Sequence, residues 1–434
     1  MCGFIASRDV DAVDLNRLID RMAYRGYSRE FKGYERTRHG VQLAHYSLPF
    51  VNLDPEVAVQ PRQDLHPSLF VGEIFNYEEL GYETDIECAV DTFLKSGERG
   101  FHRFDGFWTF VVDTRQGLIG ITDHLGIKPL YYRTDMEVMA SEPDVLKEFG
   151  EVTPDLHFLS NTMKWGYDPG PNTAWKEIKQ VPPGHYVLNG VVKPYWDWNR
   201  VRTENLRYDL IESVRHRLGG QRDVSMLLSG GLDSTIIYGI IKGLGRDITA
   251  IHVDNGEEDY ARLVTEDLID VKLDDVSLED AVEIHQTPVD LGSVRPQIAM
   301  AKKLRELGFY AVMTGDGADE LFGGYRRAAQ YDSQYSDVFS ELPYYHLPRL
   351  DRTNMRYTVE LRAPFLSPKV VKHALMTPYG KRNGEKKVLK ETFADLVPEP
   401  ILNRTKHALK TEAIRTSPEE QRMINNTIWD SLYG

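Results

Sequence analysis

The chain begins with Met1, Cys2 and Gly3, so a thiol lies one residue from the start of the sequence. Removal of Met1 would place the α-amino group of Cys2 beside its own thiol, as a base beside a nucleophile. Cysteine suits acyl transfer because it is partly thiolate near pH 7 and strongly nucleophilic. The competing interpretation is an inactive thiol near the terminus, and these few residues do not separate the two.

A glycine-rich loop, LLSGGLDST at residues 227–235, follows an apolar segment and precedes a helical pattern. Its glycines let backbone N–H groups approach an anion, Ser234 and Thr235 can donate to phosphate oxygens, and a helix N-terminus adds partial positive charge. Asp233 would repel a phosphate unless a cation lay between them, which indicates Mg²⁺. The loop lacks the lysine of the G-x-x-x-x-G-K-[ST] motif. A capped turn that binds nothing is the alternative.

A second loop, TGDGADELFGGY at residues 314–325, ends another predicted strand and carries Asp316, Asp319 and Glu320. Clustered carboxylates are costly to hold together unless cations or hydrogen-bond donors compensate them. Loops at the carboxyl ends of parallel strands share one edge of the sheet, where ligands collect. Asp233 and Asp319 are therefore candidate ligands of one Mg²⁺ ion. A solvated acidic turn is the alternative.

The elements that must position these residues change character near residue 200. Up to about residue 196, short segments such as SLFVGEIF and GFWTFVVD are separated by turns and two helical patterns, DLNRLIDRMAY and IECAVDTFLKSG. They predict sheets covered on one or both faces. Beyond about residue 205, apolar strands alternate with helices, which predicts a parallel α/β sheet. The part after about residue 333 is mostly helical. The predicted domain boundary lies at residues 197–205.

Composition limits the classes of function. A length of 434 residues favours two domains, and a hydrophobic content of 41% is ample for packed cores. The net charge of −14 argues against general nucleic-acid binding, because phosphate contacts need a basic surface. There is no apolar run of membrane-spanning length, no signal-peptide pattern and only two cysteines, which predicts a cytoplasmic protein. Small molecules are the expected partners, and a homodimer is left open.

The loop at residues 227–235 resembles the pyrophosphate-binding PP-loop of ATP pyrophosphatases. Together with the loop at residues 314–325, it resembles the C-terminal domain of asparagine synthetases. The N-terminal part is similar to the glutaminase domain of the same family, which begins with cysteine once Met1 is removed. Further matching stretches are YRG at 24–26, LAHYSLPFVN at 43–52, FVGEIFNYEEL at 70–80, TDIE at 84–87, LDRTNMRYTVELRAPFLS at 350–367 and EKKVLKETF at 385–393.

The resemblance implies a fold and a reaction. Residues 1–197 would form an α+β glutamine amidotransferase domain of the Ntn type, an αββα sandwich. Residues 205–434 would form an α/β parallel-sheet PP-loop domain with a helical C-terminal part. ATP would adenylate a carboxylate, aspartate by default, with release of AMP and pyrophosphate. Ammonia from glutamine hydrolysed at Cys2 would then amidate it. ATP and Mg²⁺ are the implied cofactors.

The resemblance also assigns residues. Catalysis falls on Cys2, Asp316 and Lys386, and glutamine binding on Gly72, Glu73 and Asp85. ATP and pyrophosphate binding falls on Leu228, Ser229, Gly230, Gly231, Asp233, Ser234, Thr235, Val253, Thr314, Gly315 and Tyr325. Asp233 and Asp319 are the implied Mg²⁺ ligands. Lys387 adjoins Lys386 and is an alternative for the functional lysine.

Two departures from the family pattern fall in the predicted glutamine site. The family arginine that holds the glutamine α-carboxylate is replaced by Ser47, and the family asparagine that donates to the oxyanion hole is replaced by Val71. Loss of one oxyanion donor typically lowers the rate by about 10²–10³. The glutaminase is therefore expected to be weak, altered in its donor, or lost.

Three functions follow as alternatives. The first is a glutamine-hydrolysing, asparagine synthetase-like ligase. The second is a related adenylating ligase that uses ammonia or another amine, as in β-lactam synthetases, because its glutaminase is impaired. The third is a non-catalytic ATP-binding protein, which the retained Asp233, Asp316 and Asp319 argue against.

Overall fold

The computed structural model describes residues 2–8, 13–254, 258–274, 276–285, 291–325, 339–377 and 385–404. The strands in these ranges are β1 Gly3–Ser7, β2 Lys32–Arg36, β3 Gln42–Tyr46, β4 Ser68–Ile74, β5 Gly106–Thr114, β6 Gly117–Thr122, β7 Tyr131–Arg133, β8 Val138–Ala140, β9 Ile178–Gln180, β10 His185–Leu188, β11 Val191–Pro194, β12 Val224–Leu227, β13 Thr249–Val253, β14 Leu268–Val271, β15 Ala311–Met313 and β16 Glu360–Arg362.

The α-helices in the same ranges are α1 Leu15–Leu18, α2 Pro55–Ala58, α3 Asp85–Ser96, α4 Leu156–Trp165, α5 Leu206–Arg217, α6 Leu232–Gly243, α7 Glu258–Arg262, α8 Leu278–His285, α9 Leu291–Glu306, α10 Ala318–Phe322, α11 Leu347–Arg356, α12 Pro368–Met376, α13 Lys387–Phe393 and α14 Glu399–Leu402. None of the helices described is long and apolar enough to span a membrane.

Two antiparallel sheets form the N-terminal half of the molecule. One has the strand order β2-β3-β1-β8-β7-β9 and the other the order β11-β10-β6-β5-β4. Because side chains alternate along a strand, Phe4 and Ala6 of β1 pack between the sheets, whereas Ile5 faces the helical layer that contains α1 and α4. Phe70 of β4 faces α3 on the opposite side. Each sheet thus has its own helical cover, and the expected αββα sandwich is confirmed.

The first helical pattern, DLNRLIDRMAY, does not form one α-helix. After α1 the chain continues as a 3₁₀ helix, Ile19–Arg25, with a kink at Met22. A 3₁₀ helix has three residues per turn, so Ile19, Met22 and Arg25 share one face. All three are buried. The tighter winding places Arg25 in the molecular interior, where it reaches the interface between the two halves.

A five-stranded parallel sheet forms the C-terminal half, with the order β14-β13-β12-β15-β16. Strand β12 lies between β13 and β15. The strands that follow β12 in the sequence are therefore added first on one side of it, as β13 and β14, and then on the other side, as β15 and β16. Ligands bind at such a position, outside the carboxyl ends of the strands. The expected α/β parallel sheet, the strand at ITAIHV and the helix after LLSGG are all confirmed.

An apolar interface joins the two halves. Leu48, Phe50, Phe107 and Ile127 belong to the same buried cluster as Phe365 and many other side chains of the C-terminal half. The ring of His124 also contacts the backbone carbonyl of Leu366, with 2.8 Å between Nε2 and O. The packing therefore ties the halves together rather than leaving a solvated cleft between them.

Charged side chains are also buried across this interface. Asp351 on α11 accepts hydrogen bonds from Arg25 at 2.6 Å and from Lys128 at 2.7 Å. Arg25 also donates to Glu142 at 2.6 Å, and Arg352 lies 3.4 Å from the same carboxylate. Although burial opposes ionisation, Arg25 and Lys128 hold the pKa of Asp351 well below its usual range.

Substitution of Asp351 by asparagine should destabilise the protein strongly. Removal of one charge from a buried pair typically costs about 3–5 kcal/mol, because the remaining charges stay desolvated. We expect Asp351→Asn to lower the free energy of unfolding, measured by urea denaturation, by about this amount. The control is Asp395→Asn, since Asp395 pairs with Arg207 at the surface, where a pair contributes about 1 kcal/mol or less. Equal effects of the two variants would contradict the prediction.

Candidate functional site

A pocket in the N-terminal half opens onto Cys2 at the start of β1. It brings together the four residues predicted for glutamine chemistry, Cys2, Gly72, Glu73 and Asp85. The other lining residues are Ser47, Leu48, Pro49, Phe50, Val51, Asn52, Val57, Ala58, Gln60, Phe70, Thr84 and Ile86. Residues from three separate stretches of sequence thus converge on one thiol.

The Cys2 thiol is buried and held by the backbone. The Leu48 N–H donates to Sγ at 3.4 Å, and Arg25 Nε donates to the Cys2 carbonyl oxygen at 3.3 Å. Burial raises the pKa of the Cys2 thiol, which outweighs the opposing effects of the nearby N-terminal charge and the Leu48 hydrogen bond. The thiol is therefore protonated before substrate enters, and an attack on an amide needs a proton acceptor beside it.

Glu73 shares an arginine with a residue of the second half. Arg362 donates to Glu73 at 2.8 Å and to Glu360 at 3.1 Å, and it also donates to the backbone carbonyls of Arg217 and Gly219. Burial and the neighbouring Glu360 carboxylate raise the pKa of Glu73. One guanidinium thus compensates two carboxylates, one from each half of the molecule.

Asp85 is the first residue of α3 and faces the pocket. Its carboxylate accepts a hydrogen bond from the Ile86 N–H at 2.9 Å. Burial raises the pKa of Asp85 to about 7, more than this hydrogen bond lowers it. An amino group that entered the pocket would find in Asp85 a carboxyl group able to ionise near neutral pH.

Glycine is required at position 72. The residue has φ of +119°, and a Cβ there would lie 2.0 Å from the carbonyl oxygen of Phe107. Its neighbour Val71 packs in the core between the two sheets together with Cys2. The position that carries an amide donor in the family pattern is therefore filled by an apolar side chain.

Ser47 is buried, and its hydroxyl is fully engaged. The hydroxyl donates to the carbonyl oxygen of Ala58 at 2.7 Å and lies 2.9 Å from Nδ1 of His45. Burial lowers the pKa of His45 to about 3, so this ring is neutral. Ser47 therefore supplies neither a positive charge nor a free donor to the pocket.

The second candidate site lies at the carboxyl edge of the parallel sheet. The loop after β12 turns at Gly230, which has φ of +69°, and a Cβ there would lie 2.6 Å from the Ala261 nitrogen. Ser229 organises the turn: its hydroxyl accepts from the Gly231 N–H at 3.3 Å and lies 3.1 Å from the Ser234 hydroxyl. The buried Thr235 hydroxyl finds no hydrogen-bond partner among the residues that the structure describes. These groups form a polar cradle at the start of α6.

The remaining residues predicted for ATP lie on the same edge. Leu228 extends the β12–β13 pairing through its N–H to Ile251, at 2.9 Å, and Val253 ends β13. Gly315 follows β15, and a Cβ there would lie 2.8 Å from the Asp233 Cβ. Close packing at this glycine therefore holds the loops after β12 and β15 side by side.

Lys386 joins the two predicted Mg²⁺ ligands. Its Nζ contacts Asp233 and lies 2.5 Å from Asp319. A Cβ on Gly324 would overlap the Asp319 carboxylate and the Lys386 side chain, so glycine is needed there as well. Lys387 instead points outward and lies near Glu391 on the surface. Of the two adjacent lysines, Lys386 is the one that reaches the loops.

Asp316 and Tyr325 lie in a smaller polar group next to this centre. Asp316 accepts a hydrogen bond from the Thr314 hydroxyl at 2.6 Å, and burial together with Glu320 raises its pKa. The Tyr325 hydroxyl donates to Glu320 at 2.6 Å, and its ring stacks on His346. Both residues thus lie at the sheet edge to which the sequence assigned them.

A small, mostly apolar cavity of about 20 Å³ lies between the halves. Phe107 and Lys128 line it on one side, and Leu350, Asp351 and Met355 line it on the other. A space of this size holds about one small molecule such as water. Phe107 is also a neighbour of Gly72, since its carbonyl oxygen would lie 2.0 Å from a Cβ at Gly72.

Comparisons with known proteins agree with this two-site arrangement. A family model described as a glutamine amidotransferase domain matches residues 1–196, and one described as asparagine synthase matches residues 205–339 and 327–428. The chain belongs to the asparagine synthase family. Within this family member, the Cys2 pocket lies in the amidotransferase part and the PP-loop in the asparagine synthase part.

Individual relatives are more distant. The chain is 27% identical over 391 residues to the amidase chry2 of Gibberella zeae, with 76% of this chain and 57% of the amidase covered, so it spans less than two thirds of that protein. It is 27% identical over 482 residues to asparagine synthetase B (glutamine-hydrolyzing) of Escherichia coli, with 94% and 81% covered. Among solved structures, a glutamine phosphoribosylpyrophosphate amidotransferase from B. subtilis aligns with 63% of this chain and with 81% of its own chain. The sequence identity is 11% and the TM-score is 0.33.

Sequence reasoning missed the residues that link the Cys2 pocket to the C-terminal half. Four such residues lie within the stretches that resemble the family, but the sequence predicted no structural or catalytic role for them: Arg25, Asp351, Glu360 and Arg362. The available signal was the placement of charged residues among apolar neighbours, as in VELRAPFL. Such residues are rarely buried unless paired, so their partners had to come from elsewhere in the fold.

The raised pKa of Asp85 has a consequence for stability. Between its ordinary value of 3.8 and about 7, the folded protein holds a proton that the unfolded chain has released, so stability falls as pH rises. Asp85→Asn removes this dependence. We expect the variant to gain stability relative to the original protein as pH rises from 4 to 7, by up to about 1.4 kcal/mol per pH unit in urea denaturation.

The control for Asp85→Asn is Asp64→Asn, for which the expected change in stability has the opposite sign. Arg62 lowers the pKa of Asp64, so ionised Asp64 favours the folded state and its loss should slightly reduce stability above pH 4. A flat difference between Asp85→Asn and the original protein across this pH range would refute the prediction.

Lys386 and Lys387 provide a matched pair of variants. Lys386→Ala removes the cation that contacts both Asp233 and Asp319, and we expect a loss of about 3 kcal/mol in unfolding free energy. Added Mg²⁺ should restore more stability to this variant than to the original protein, because a metal ion can replace the lost charge. Lys387→Ala should change stability by less than about 0.5 kcal/mol. A larger loss of stability in Lys387→Ala than in Lys386→Ala would show that Lys386 is not the lysine that compensates the two carboxylates.

Proposed function

We propose that the protein is an ATP-dependent carbon–nitrogen ligase of the asparagine synthetase type. A carboxylate, aspartate by default, attacks the α-phosphorus of ATP, and pyrophosphate leaves as the acyl adenylate forms. Ammonia then attacks the acyl carbon, AMP leaves, and an amide remains. The ammonia derives from a glutamine side-chain amide hydrolysed at Cys2. Family membership and the two converged sites support this proposal.

One observation carries the proposal: buried charged contacts join the Cys2 pocket to the half of the molecule that contains the second site. Arg362 contacts Glu73 of the Cys2 pocket and Glu360 of its own strand at the same time. Arg25 similarly contacts the Cys2 carbonyl and Asp351 of the C-terminal half. A glutaminase that feeds ammonia to a distant adenylate needs such rigid contact, because free ammonia would otherwise escape or become protonated in solution.

At the first site, the pocket residues perform amide hydrolysis. The Cys2 thiolate attacks the amide carbon, the C–N bond breaks, and ammonia leaves with the proton taken from the thiol; water then hydrolyses the thioester. Removal of Met1 would free the α-amino group of Cys2. This group has an ordinary pKa near 8 and is the proposed proton acceptor. Asp85 is the proposed partner of the substrate amino group.

At the second site, the cradle after β12 would hold the phosphates of ATP. The donor set fits Mg²⁺, since Asp233 and Asp319 present carboxylate oxygens around a single cation, at present the Lys386 ammonium. The metal would neutralise charge on the departing pyrophosphate. Lys386 would move its charge to the phosphates or the adenylate, and Ser229, Ser234 and their loop would bind oxygens through hydroxyl and N–H groups.

Substitution of Cys2 by alanine tests the proposal. Pyrophosphate release with aspartate and glutamine should fall by at least 10³-fold, since the nucleophile is lost, whereas release with aspartate and ammonium should stay within about twofold. Cys88→Ala, at the other cysteine, should leave both rates unchanged. Glutamine-dependent release that survives in Cys2→Ala would refute the glutaminase assignment.

The two departures at Ser47 and Val71 favour a second candidate function, an adenylating ligase supplied with ammonia or another amine. In that case the original protein should release pyrophosphate with ammonium but not with glutamine, and Cys2→Ala should change nothing. Release with a carboxylate other than aspartate, under either nitrogen source, would reassign the acceptor.

A further inference from the structure

We propose that the Cys2 pocket selects an amide donor that carries a free amino group but no carboxylate beside it. This inference rests on the proposed function, because it concerns the compound hydrolysed at Cys2. The donor class is a primary carboxamide joined by a short alkyl chain to an amine, as in glutamine without its α-carboxylate.

The charges of the pocket carry the inference. The described lining residues include two carboxylic acids, Glu73 and Asp85, and no lysine, arginine or histidine. An ammonium group entering this space meets an acid able to ionise, so it is attracted. Once the ammonium group has ionised Asp85, a carboxylate on the same donor is repelled by it and loses its hydration. It gains no lysine, arginine or histidine partner among the described lining residues, and the Arg362 guanidinium beside Glu73 is already shared with Glu360.

Neutral groups of the pocket carry no positive charge, so a hydrogen bond from one of them to a carboxylate is weaker than the ion pair that a guanidinium would form. The Ser47 hydroxyl already donates to Ala58 O. The side-chain oxygens of Gln60 and Asn52 accept from the N–H groups of Phe70 and Asp54. The Thr84 hydroxyl caps α3 through the Glu87 N–H. These side chains support the walls of the pocket.

Nearby arginines are already engaged. Arg62 binds Asp64 and Glu87. Arg25 binds Glu142 and Asp351. Arg362 is divided among Glu73, Glu360 and two backbone carbonyls, as described above. A donor carboxylate would therefore have to displace an existing buried carboxylate to gain a guanidinium partner, which is costly because the displaced charge stays desolvated.

The test compares two donors of equal chain length with the full protein. Glutamine and 4-aminobutanamide share the amine and the amide, and only glutamine has the α-carboxylate. We expect kcat/KM for ammonia release to be at least tenfold higher with 4-aminobutanamide, and mass spectrometry to show the corresponding thioester on Cys2. Cys2→Ala should abolish both signals.

Asp85→Asn tests the origin of the preference. Loss of the acid removes both the attraction for the amine and the repulsion of the carboxylate, so the ratio of the two kcat/KM values should fall by at least fivefold. Asp395→Asn, at an exposed acid of the C-terminal half outside the pocket lining, should leave the ratio unchanged. Circular dichroism of both variants controls for folding.

The outcomes separate this inference from the proposed function. Equal or better hydrolysis of glutamine overturns the inference and leaves the proposed function standing. Hydrolysis of neither donor, with ammonium-dependent pyrophosphate release intact, overturns the inference and the glutaminase assignment while the ligase remains. Loss of ammonium-dependent release as well would show that the proposed function itself has failed.

Discussion

The structure depends on the buried guanidinium of Arg362. It binds a carboxylate from each half of the molecule and two backbone carbonyls, and it lies over the ring of Phe50 at 4.9 Å. An arginine suits this position because its planar, permanently charged group can satisfy several acceptors at once. Burial of such a charge is tolerable only while every partner stays in place, so the relative position of the two halves is tightly constrained.

The same constraint shapes the chemistry of both sites. Around Cys2, burial raises the pKa of the thiol and of the acids Glu73 and Asp85. Around the loops after β12 and β15, the Lys386 ammonium lies between the carboxylates of Asp233 and Asp319. Glycines at positions 72, 230, 315 and 324 allow these close approaches, since a Cβ at any of them would meet a neighbouring atom at less than 3 Å. Backbone packing and charge pairing are therefore inseparable in this protein.

Much of the architecture followed from local patterns. Alternating strands such as β4 and β5, the apolar strand β12 and the helix α6 formed as predicted, because their hydrophobic periods match their structures. The exception was the helix before Arg25, where the need to bury three residues on one face favoured the tighter 3₁₀ winding. Its sequence carries no marker for this preference, since the sheet that it packs against lies elsewhere in the chain.

The sequence by itself determined the pair of glycine-rich loops, the nucleophile candidate Cys2 and the family of the chain, because these depend on residue types at short spacing. Only the tertiary structure decided that Lys386 rather than Lys387 joins Asp233 and Asp319, that Ser47 has no free donor, and that Arg25 and Arg362 link the Cys2 pocket to the C-terminal half. Most of these facts depend on contacts between residues far apart in the sequence, such as Arg25 with Asp351 and Arg362 with Glu73, and such contacts are set by packing rather than by local sequence.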